Sequence, residues 1–453
     1  MQNETTLFNY TCISISGITT FIQVTVGVRI PVYQGPTQLY TVPLLALAAL
    51  PEWKCPDINL YSGSNSSVIN GTTEMFYRQE VVYPRLNLLQ GSLALAGGIH
   101  MLIGFTGTMG LLLKYIGPIT IIPAIFLSGV SLYGVLVKFS ETHWGISALY
   151  NNFYMYSSFI IFGATFISTS KVEQRKGIPF HPLSTASSFM CKYLLIAITC
   201  GWAVSAVLTE AGVFSKDPKS KEFYARTDSR LYVIDACPLF HFPYPEQFGK
   251  TSFDTGVFVG FMSATFISIL DSIADYYATA RVSRVPPPPV HAINRGLFVE
   301  GMMSMIAGPF GCGHATTTYG SVIGIIGTTR VASRRVYQCL AIILIILSII
   351  GKFGAVFITI PYPVLGGTQL VGLGIFLGLV LSNLQYIDIA STRNLAIIGI
   401  SILMGMMIPY WVRKNSHLID TGFLQLDSLI KMLMSNPNLI GGSLGCFLDN
   451  TVP

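Results

Sequence analysis

The feature that most constrains this chain is the recurrence of apolar runs near twenty residues long. A helix rises about 1.5 Å per residue, so such a run crosses the roughly 30 Å hydrocarbon core of a bilayer. The runs fall at residues 12–26, 88–115, 119–139, 146–168, 187–208, 255–280, 336–360, 364–384 and 395–412. Shorter apolar pieces lie at 40–50, 296–307, 322–328 and 429–448, the last broken by Pro437. Only 11% of the residues are charged and 51% are hydrophobic, against roughly 25% charged in a soluble domain. The expected fold class is an all-α polytopic membrane protein. Its partners are then the lipid bilayer and a small-molecule substrate.

Charge sets the orientation. The net charge of +6 comes from basic residues gathered in short connections: Lys171, Arg175 and Lys176, then Arg281, Arg284 and Arg295, then Arg330, Arg334 and Arg335. Such connections face the cytoplasm. The loop carrying Asn65-Ser66-Ser67 and Asn70-Gly71-Thr72 then faces outside, making Asn65 and Asn70 candidate glycosylation sites. Residues 214–250 form a second outside loop, and Cys55 and Cys237 are able to pair if both loops lie there. The eight cysteines contain no CxxC pair, so no zinc site is indicated. No basic groove interleaved with aromatics is present, which excludes a nucleic-acid partner. No Walker loop, GxSxG or HExxH occurs, so neither ATP-driven pumping nor an enzyme is supported. The first residues show no basic n-region of a signal peptide.

The chemistry concentrates between Asp271 and Arg330. Asp271 and Asp275 are four residues apart on one face of an apolar helix, with Ser268 and Ser272 on or beside it. An acid in a spanning helix is costly and by default functional. Asp271 reads as a substrate hydrogen-bond acceptor and Asp275, with Ser272, as an ion-coupling group. The competing reading makes Asp275 a structural bridge to Arg281. Residues 311–320 form a polar, glycine-rich interruption with Thr316, Thr317, Thr318 and Tyr319. Irregular backbone at membrane depth is tolerated only inside protein or along a cavity. A half-helix over 322–328 would aim its positive N-terminus at that cavity, near Gly320 and Ser321. A packing element without ligand is the alternative. Early in the chain 31–50 is interrupted by Pro31, Pro36 and Pro43, and Gln34, Thr37, Gln38 and Tyr40 form its polar face, for ligand contact or interfacial anchoring. A broken segment in each half points to an inverted-repeat transporter. Glu300 is either a second coupling acid or a salt-bridge partner of Arg295. His314 is either a proton carrier or a satisfied polar residue, the latter favoured. His100 reads as a helix-to-helix hydrogen bond.

These residues resemble the nucleobase–ascorbate transporter family, above all its animal ascorbate branch. The run from Asp271 to Ala278, D-S-I-A-D-Y-Y-A, is similar to that branch's E-S-I-G-D-Y-Y-A. The loop Pro286-Pro287-Pro288-Pro289-Val290-His291-Ala292-Ile293-Asn294-Arg295-Gly296 nearly matches its cytoplasmic loop, and T-R-V-A-S-R-R-V follows from Thr329. The likeness covers nearly the whole chain. It implies fourteen segments in two inverted repeats of seven, the first of them missing here, arranged as core and gate domains in a homodimer formed through the gate. It also implies sodium as coupling ion for ascorbate members and protons or sodium for nucleobase members, with no other cofactor, at the plasma membrane. Departures gather at the site. Asp271 stands for a family glutamate, Ser321 and Val322 replace the first two positions of a [Q/E/P]-N-x-G-x-x-x-x-T-[R/K/G] motif, and Gln38 stands for a phenylalanine.

The expected layout is core 1–116, gate 117–213, extracellular loop 214–250, core with the substrate site 251–360, and gate 361–453. The expected function is secondary active transport of ascorbate or a nucleobase-like small polar solute, coupled to sodium. Asp271, Gly320, Ser321, Thr318, Gln38 and Tyr40 would bind substrate, and Asp275 and Ser272 the ion. The alternative is a truncated, transport-incompetent paralogue serving as a membrane dimer partner.

Overall fold

The computed structural model describes residues 2–49, 53, 76–108, 117–150, 183–217, 220–240, 242–320, 323, 326, 331–382, 384, 387–422 and 424–452. The first element, α1 (Gln2–Thr25), runs into a short strand, β1 (Gln34–Pro36), and a brief helix, α2 (Thr41–Ala49). Next come α3 (Tyr83–Thr106), α4 (Pro118–Ser131), α5 (Tyr133–Ser140) and α6 (Leu183–Glu210). The second half holds α7 (Thr255–Val282), α8 (Val290–Ala307), a strand β2 (Thr316–Thr318), α9 (Arg334–Ile349), α10 (Gly351–Ile358) and α11 (Tyr362–Ser382). It closes with α12 (Thr392–Lys414), α13 (Leu424–Met434) and α14 (Pro437–Thr451). Among the described residues five stretches are long and apolar enough to cross a membrane: Leu7–Thr25, Arg78–Thr106, Ile119–Ser140, Thr255–Val282 and Thr392–Lys414.

Several sequence-based boundaries change for physical reasons. The apolar piece at 296–307 is the second half of a longer helix, because α8 starts at Val290, directly after the proline hinge. Pro289 fixes the entry, and its carbonyl accepts from the Ala292 and Ile293 amides. The polar residues His291, Asn294 and Arg295 hid that first turn and a half from an apolar count. The run 336–360 is divided at Ile350, and the helix pair that follows, Gly351–Ile358 and Tyr362–Gly378, bends by 88°. The piece at 429–448 is two helices, separated by Asn436, whose side chain caps α14 by accepting from Asn438 and Leu439. Cys237 is a buried free thiol packed beside Tyr10 and Ala355, so the Cys55–Cys237 pairing is not made. Asn65, Asn70, Cys55, Lys171, Arg175, Lys176, Ser321 and Arg330 lie outside the described residues, as does the run 146–168 beyond Tyr150.

The all-α expectation also misses one element. β1 and β2 pair antiparallel, with Gln34 opposite Thr318, Gly35 opposite Thr317 and Pro36 opposite Thr316. The pairing extends on both sides, from Thr37 N to Ala315 O at 3.4 Å and from Tyr319 N to Tyr33 O at 3.1 Å. Both strands are buried in the interior, where water cannot solvate open backbone. Two interrupted segments therefore satisfy each other's amides and carbonyls.

Packing separates the helices into two groups. α1, α3, α7, α8 and α9 pack together around the strand pair, while α4, α5, α11, α12 and α14 pack against one another. α7 touches both groups. The tightest seam, α3 against α8, is made by glycine. A Cβ on Gly97 would lie 2.4 Å from Met305 N, on Gly104 2.3 Å from Phe298 N, and on Gly301 2.1 Å from Met101 N. With no hydrophobic driving force between helices in lipid, such close backbone approach is what holds them. Gly98, one position round the helix from Gly97, meets only the flexible Met305 sulfur at 3.6 Å. Alanine raises helix propensity by about 1 kcal/mol over glycine, whereas overpacking costs about 1–3 kcal/mol. Gly301→Ala should therefore lower the thermal midpoint of detergent-solubilised protein, and Gly98→Ala should raise it or leave it unchanged. Equal shifts for the two would refute the seam.

Candidate functional site

The site is built where the strand pair meets α7 and α8. Glu300, fully buried on α8, is the hub. Its Oε1 accepts from Gln34 Nε2 at 2.9 Å, from Tyr276 Oη at 2.6 Å and from Thr318 Oγ1 at 2.7 Å. Gln34 Nε2 also donates to Thr318 Oγ1 at 2.8 Å, and Gln23 Nε2 on α1 donates to Tyr276 Oη at 2.6 Å. Five elements thus converge on one carboxylate. An acid at the bilayer centre costs about 2.5–3.5 kcal/mol on insertion scales. A hydrogen bond to a charged acceptor contributes about 1.5–3 kcal/mol, so three donors offset the placement. The expected alternative, a salt bridge to Arg295, is not made: Arg295 Nε donates instead to the Gly27 carbonyl at 2.7 Å. Glu300 was visible in the sequence as an acid in an apolar segment, but its partners were not, because they come from 18 to 266 residues away on three other elements.

The aspartates occupy two depths. Asp271, half-buried, lines a cavity of about 80 Å³ together with Thr37, Leu39, Thr318, Tyr319, Gly320, Gly372 and Phe376. One water needs roughly 10–15 Å³ by such a measure, so the space suits a small solute. Its walls come from both packing groups: Asp271, Thr318 and Gly320 on one side, Gly372 and Phe376 of α11 on the other. Asp275 lies one turn further along α7, buried, and its Oδ2 has no hydrogen-bond partner. Glu300 Oε2 and the Ser268, Ser272 and Thr279 hydroxyls are likewise buried without one. The three acids interact electrostatically. Among the described residues, however, no group of three or more His, Cys, Asp and Glu converges as a metal site. A cation there would take at most two carboxylates, with hydroxyl oxygens completing its shell.

Other candidates are distributed as follows. Thr318 and Gly320 are on the cavity wall, and Ile323 N donates to Gly320 O at 3.0 Å; the half-helix expected at 322–328 lies outside the described residues apart from Ile323 and Ile326. Tyr40 is not on that wall: it is buried beside Phe261, with its hydroxyl 2.6 Å from Thr265 Oγ1 on α7. Gln38 sits in the turn before α2, but its side chain, like Ser321, lies outside the described set. His314 packs its ring 5.4 Å from that of Phe8. His100 is fully buried at the α3–α8 seam with neither ring nitrogen hydrogen-bonded, so the helix-to-helix hydrogen bond expected of it is absent.

The helical spans, the paired broken segments and the cavity carrying Asp271 fit a multi-pass membrane permease. Residues 1–414 match the family model Xan_ur_permease, described as a permease family. Human solute carrier family 23 member 2 is 38% identical over 438 residues, covering 96% of this chain and 65% of that protein. Rat solute carrier family 23 member 1 is 37% identical over 444 residues, 98% of this chain and 71% of that one. The nucleobase-ascorbate transporter 1 of Arabidopsis thaliana is 28% identical over 450 residues, 98% and 79%. This chain belongs to the nucleobase–ascorbate transporter family, solute carrier family 23, which is a family of permeases and not of enzymes. It spans about two thirds of the length of the mammalian relatives. Among solved structures, the murine Solute Carrier 26 family member A9 anion transporter shares the fold, with a TM-score of 0.51 at 14% identity over 96% of this chain and 67% of that one.

Removing the Glu300 carboxylate strands three donors, each costing about 1–3 kcal/mol if left unmade. Glu300→Ala should therefore lower the thermal midpoint in detergent well below that of Glu300→Gln, which keeps an acceptor oxygen. If the two variants melt together, the hub is not structural.

Proposed function

We propose that the protein is a secondary active transporter of a small polar ring compound, a nucleobase-like heterocycle or ascorbate, driven by sodium. The observation that carries this reading is the position of Asp271, the ionisable side chain on the cavity wall. A carboxylate accepts hydrogen bonds and does not donate them. It therefore favours a ring presenting adjacent N–H groups, and disfavours an anion unless a cation accompanies it. Thr318 and the backbone at Gly320 supply further polar contacts, and Phe376 offers an apolar wall to the ring face. Asp275, one turn further along α7, and Ser272, the residue after Asp271, would hold the coupling ion with Glu300 nearby. The mutual pairing of residues 33–37 with 315–319, one interrupted segment from each half, supports two inverted repeats. The two packing groups support a core of 1–116 and 251–360 working against a gate of 117–213 and 361–453. Residues 214–250 are then an outside loop. Leu403, Met407 and Tyr410, exposed on α12, are suited to lipid or to a second copy at the gate. A plasma-membrane location and glycosylation at Asn65 and Asn70 complete the proposal.

Uptake of labelled uracil, xanthine and ascorbate by reconstituted protein tests it, with sodium replaced by N-methylglucamine in parallel. The expected result is sodium-dependent flux of at least one. Losing a charge-assisted hydrogen bond of about 1.5–3 kcal/mol, Asp271→Asn should lower that uptake about 10- to 100-fold. Asp275→Asn should remove its sodium dependence. Absence of flux for all three compounds would overturn the reading.

A further inference from the structure

The connection between α6 and α7 ends in a segment free of Asp, Glu, Lys and Arg from Ala236 to Tyr244. Four large apolar or aromatic side chains there face outward: Leu239 at 56% exposure, Phe240 at 63%, Phe242 at 66% and Tyr244 at 56%. In a water-facing loop such a contiguous patch requires an occupant. The backbone shows where it lies. Phe240 forms a β-bridge with Ile350, at the break between α9 and α10, and Gly351 N donates to Leu239 O at 2.9 Å. Gly351 is needed for that approach, since a Cβ would stand 2.1 Å from Pro238 O. The segment is thus fastened to the end of α9.

The depth of that end follows from α9 itself. Its first residues, Arg334 and Arg335, are exposed cations that belong at headgroup level on the cytoplasmic side. Its 16 residues rise roughly 24 Å, most of the way across a hydrocarbon core of roughly 30 Å. Ile343 and Ile346 are exposed along it, a stripe suited to acyl chains that points on toward Phe240. Irregular backbone does not enter lipid-exposed hydrocarbon, so the segment stops at the boundary instead of going deeper. Aromatic side chains are favoured at that level.

We infer that Leu239, Phe240, Phe242 and Tyr244 form an interfacial anchor that inserts into the bilayer leaflet opposite Arg334 and Arg335. The anchor ties the loop to the lipid surface at the junction of α9 and α10, beside the buried contact of the Tyr10 hydroxyl with the Gly351 carbonyl. The inference rests on the membrane reading but not on the substrate or the coupling ion. It predicts the location of side chains, whether or not any flux is seen.

Full-length Phe240→Trp and Phe242→Trp proteins, reconstituted in phosphatidylcholine vesicles, test it by fluorescence. The parent chain, with its four tryptophans, is subtracted. The added emission should be blue-shifted and quenched more by lipid brominated at acyl carbons 6 and 7 than at carbons 11 and 12. Iodide should quench it little. Emission from both variants that iodide quenches and brominated lipid does not would overturn the anchor, leaving the patch in water. Shielding from both quenchers would also overturn it, and would assign the patch to a protein contact. Stronger quenching from carbons 11 and 12 would refute the interfacial depth.

Discussion

The structure depends on one buried carboxylate. Glu300 holds a side chain from each interrupted segment, Gln34 in β1 and Thr318 in β2, and the Tyr276 hydroxyl of α7 as well. Two short strands of three residues cannot be stable by themselves. They persist because Gln34 and Thr318, one from each strand, are both bound to the same buried acid. The same bonds fix the wall of the cavity, since Thr318 is both a Glu300 donor and a lining residue. Structural and functional roles therefore meet at one residue. A change at Glu300 would alter the cavity even though the side chain does not line it.

A second constraint supports the first. Glu300 can reach the strands only if α8 lies close against α3, and glycines at 97, 104 and 301 remove the side chains that would keep the helices apart. The seam is dry and close, and it places His100 in full burial with no hydrogen-bond partner. I-to-i+7 spacing of Gly97 and Gly104 sets them on one helix face, opposite Gly301 and Gly308. The rigidity of this group contrasts with the cavity wall formed by α11. Phe376 and Gly372 reach the cavity across the boundary between two packing groups, the kind of boundary along which transporter domains rock.

The outer connection shows a related economy of contacts. Arg226 donates to Asp228 through Nε and Nη2 at 2.8 and 2.5 Å and to the Phe214 carbonyl through Nη1 at 3.3 Å, and Arg230 donates to Ile360 O at 2.6 Å. The guanidinium of Arg226 keeps the Asp228 carboxyl below the usual carboxylate range. Arg226 is buried in this pair and Asp228 is half-exposed. The pair's effect is geometric: it sets the path by which the loop reaches the α9–α10 break.

The sequence by itself determined the solvent, the class and the principal acids. Runs of apolar residues at spanning length have one interpretation in a chain so poor in charge, and an acid at membrane depth is conspicuous whatever surrounds it. The four-residue spacing of Asp271 and Asp275 puts both on one face of α7. Only the tertiary structure decided which acid is the hub, that Tyr40 belongs to the core, that Arg295 caps a carbonyl instead of pairing with Glu300, and that two broken segments form a sheet. The physical reason is range. Helix periodicity and hydropathy act over a few residues and are written in neighbouring letters. Gln34 with Glu300, Tyr40 with Thr265, the β1–β2 register and the glycine seam join residues about two hundred or more positions apart, and even for Tyr276 and Thr318 sequence order does not encode which of many polar side chains will meet in the interior.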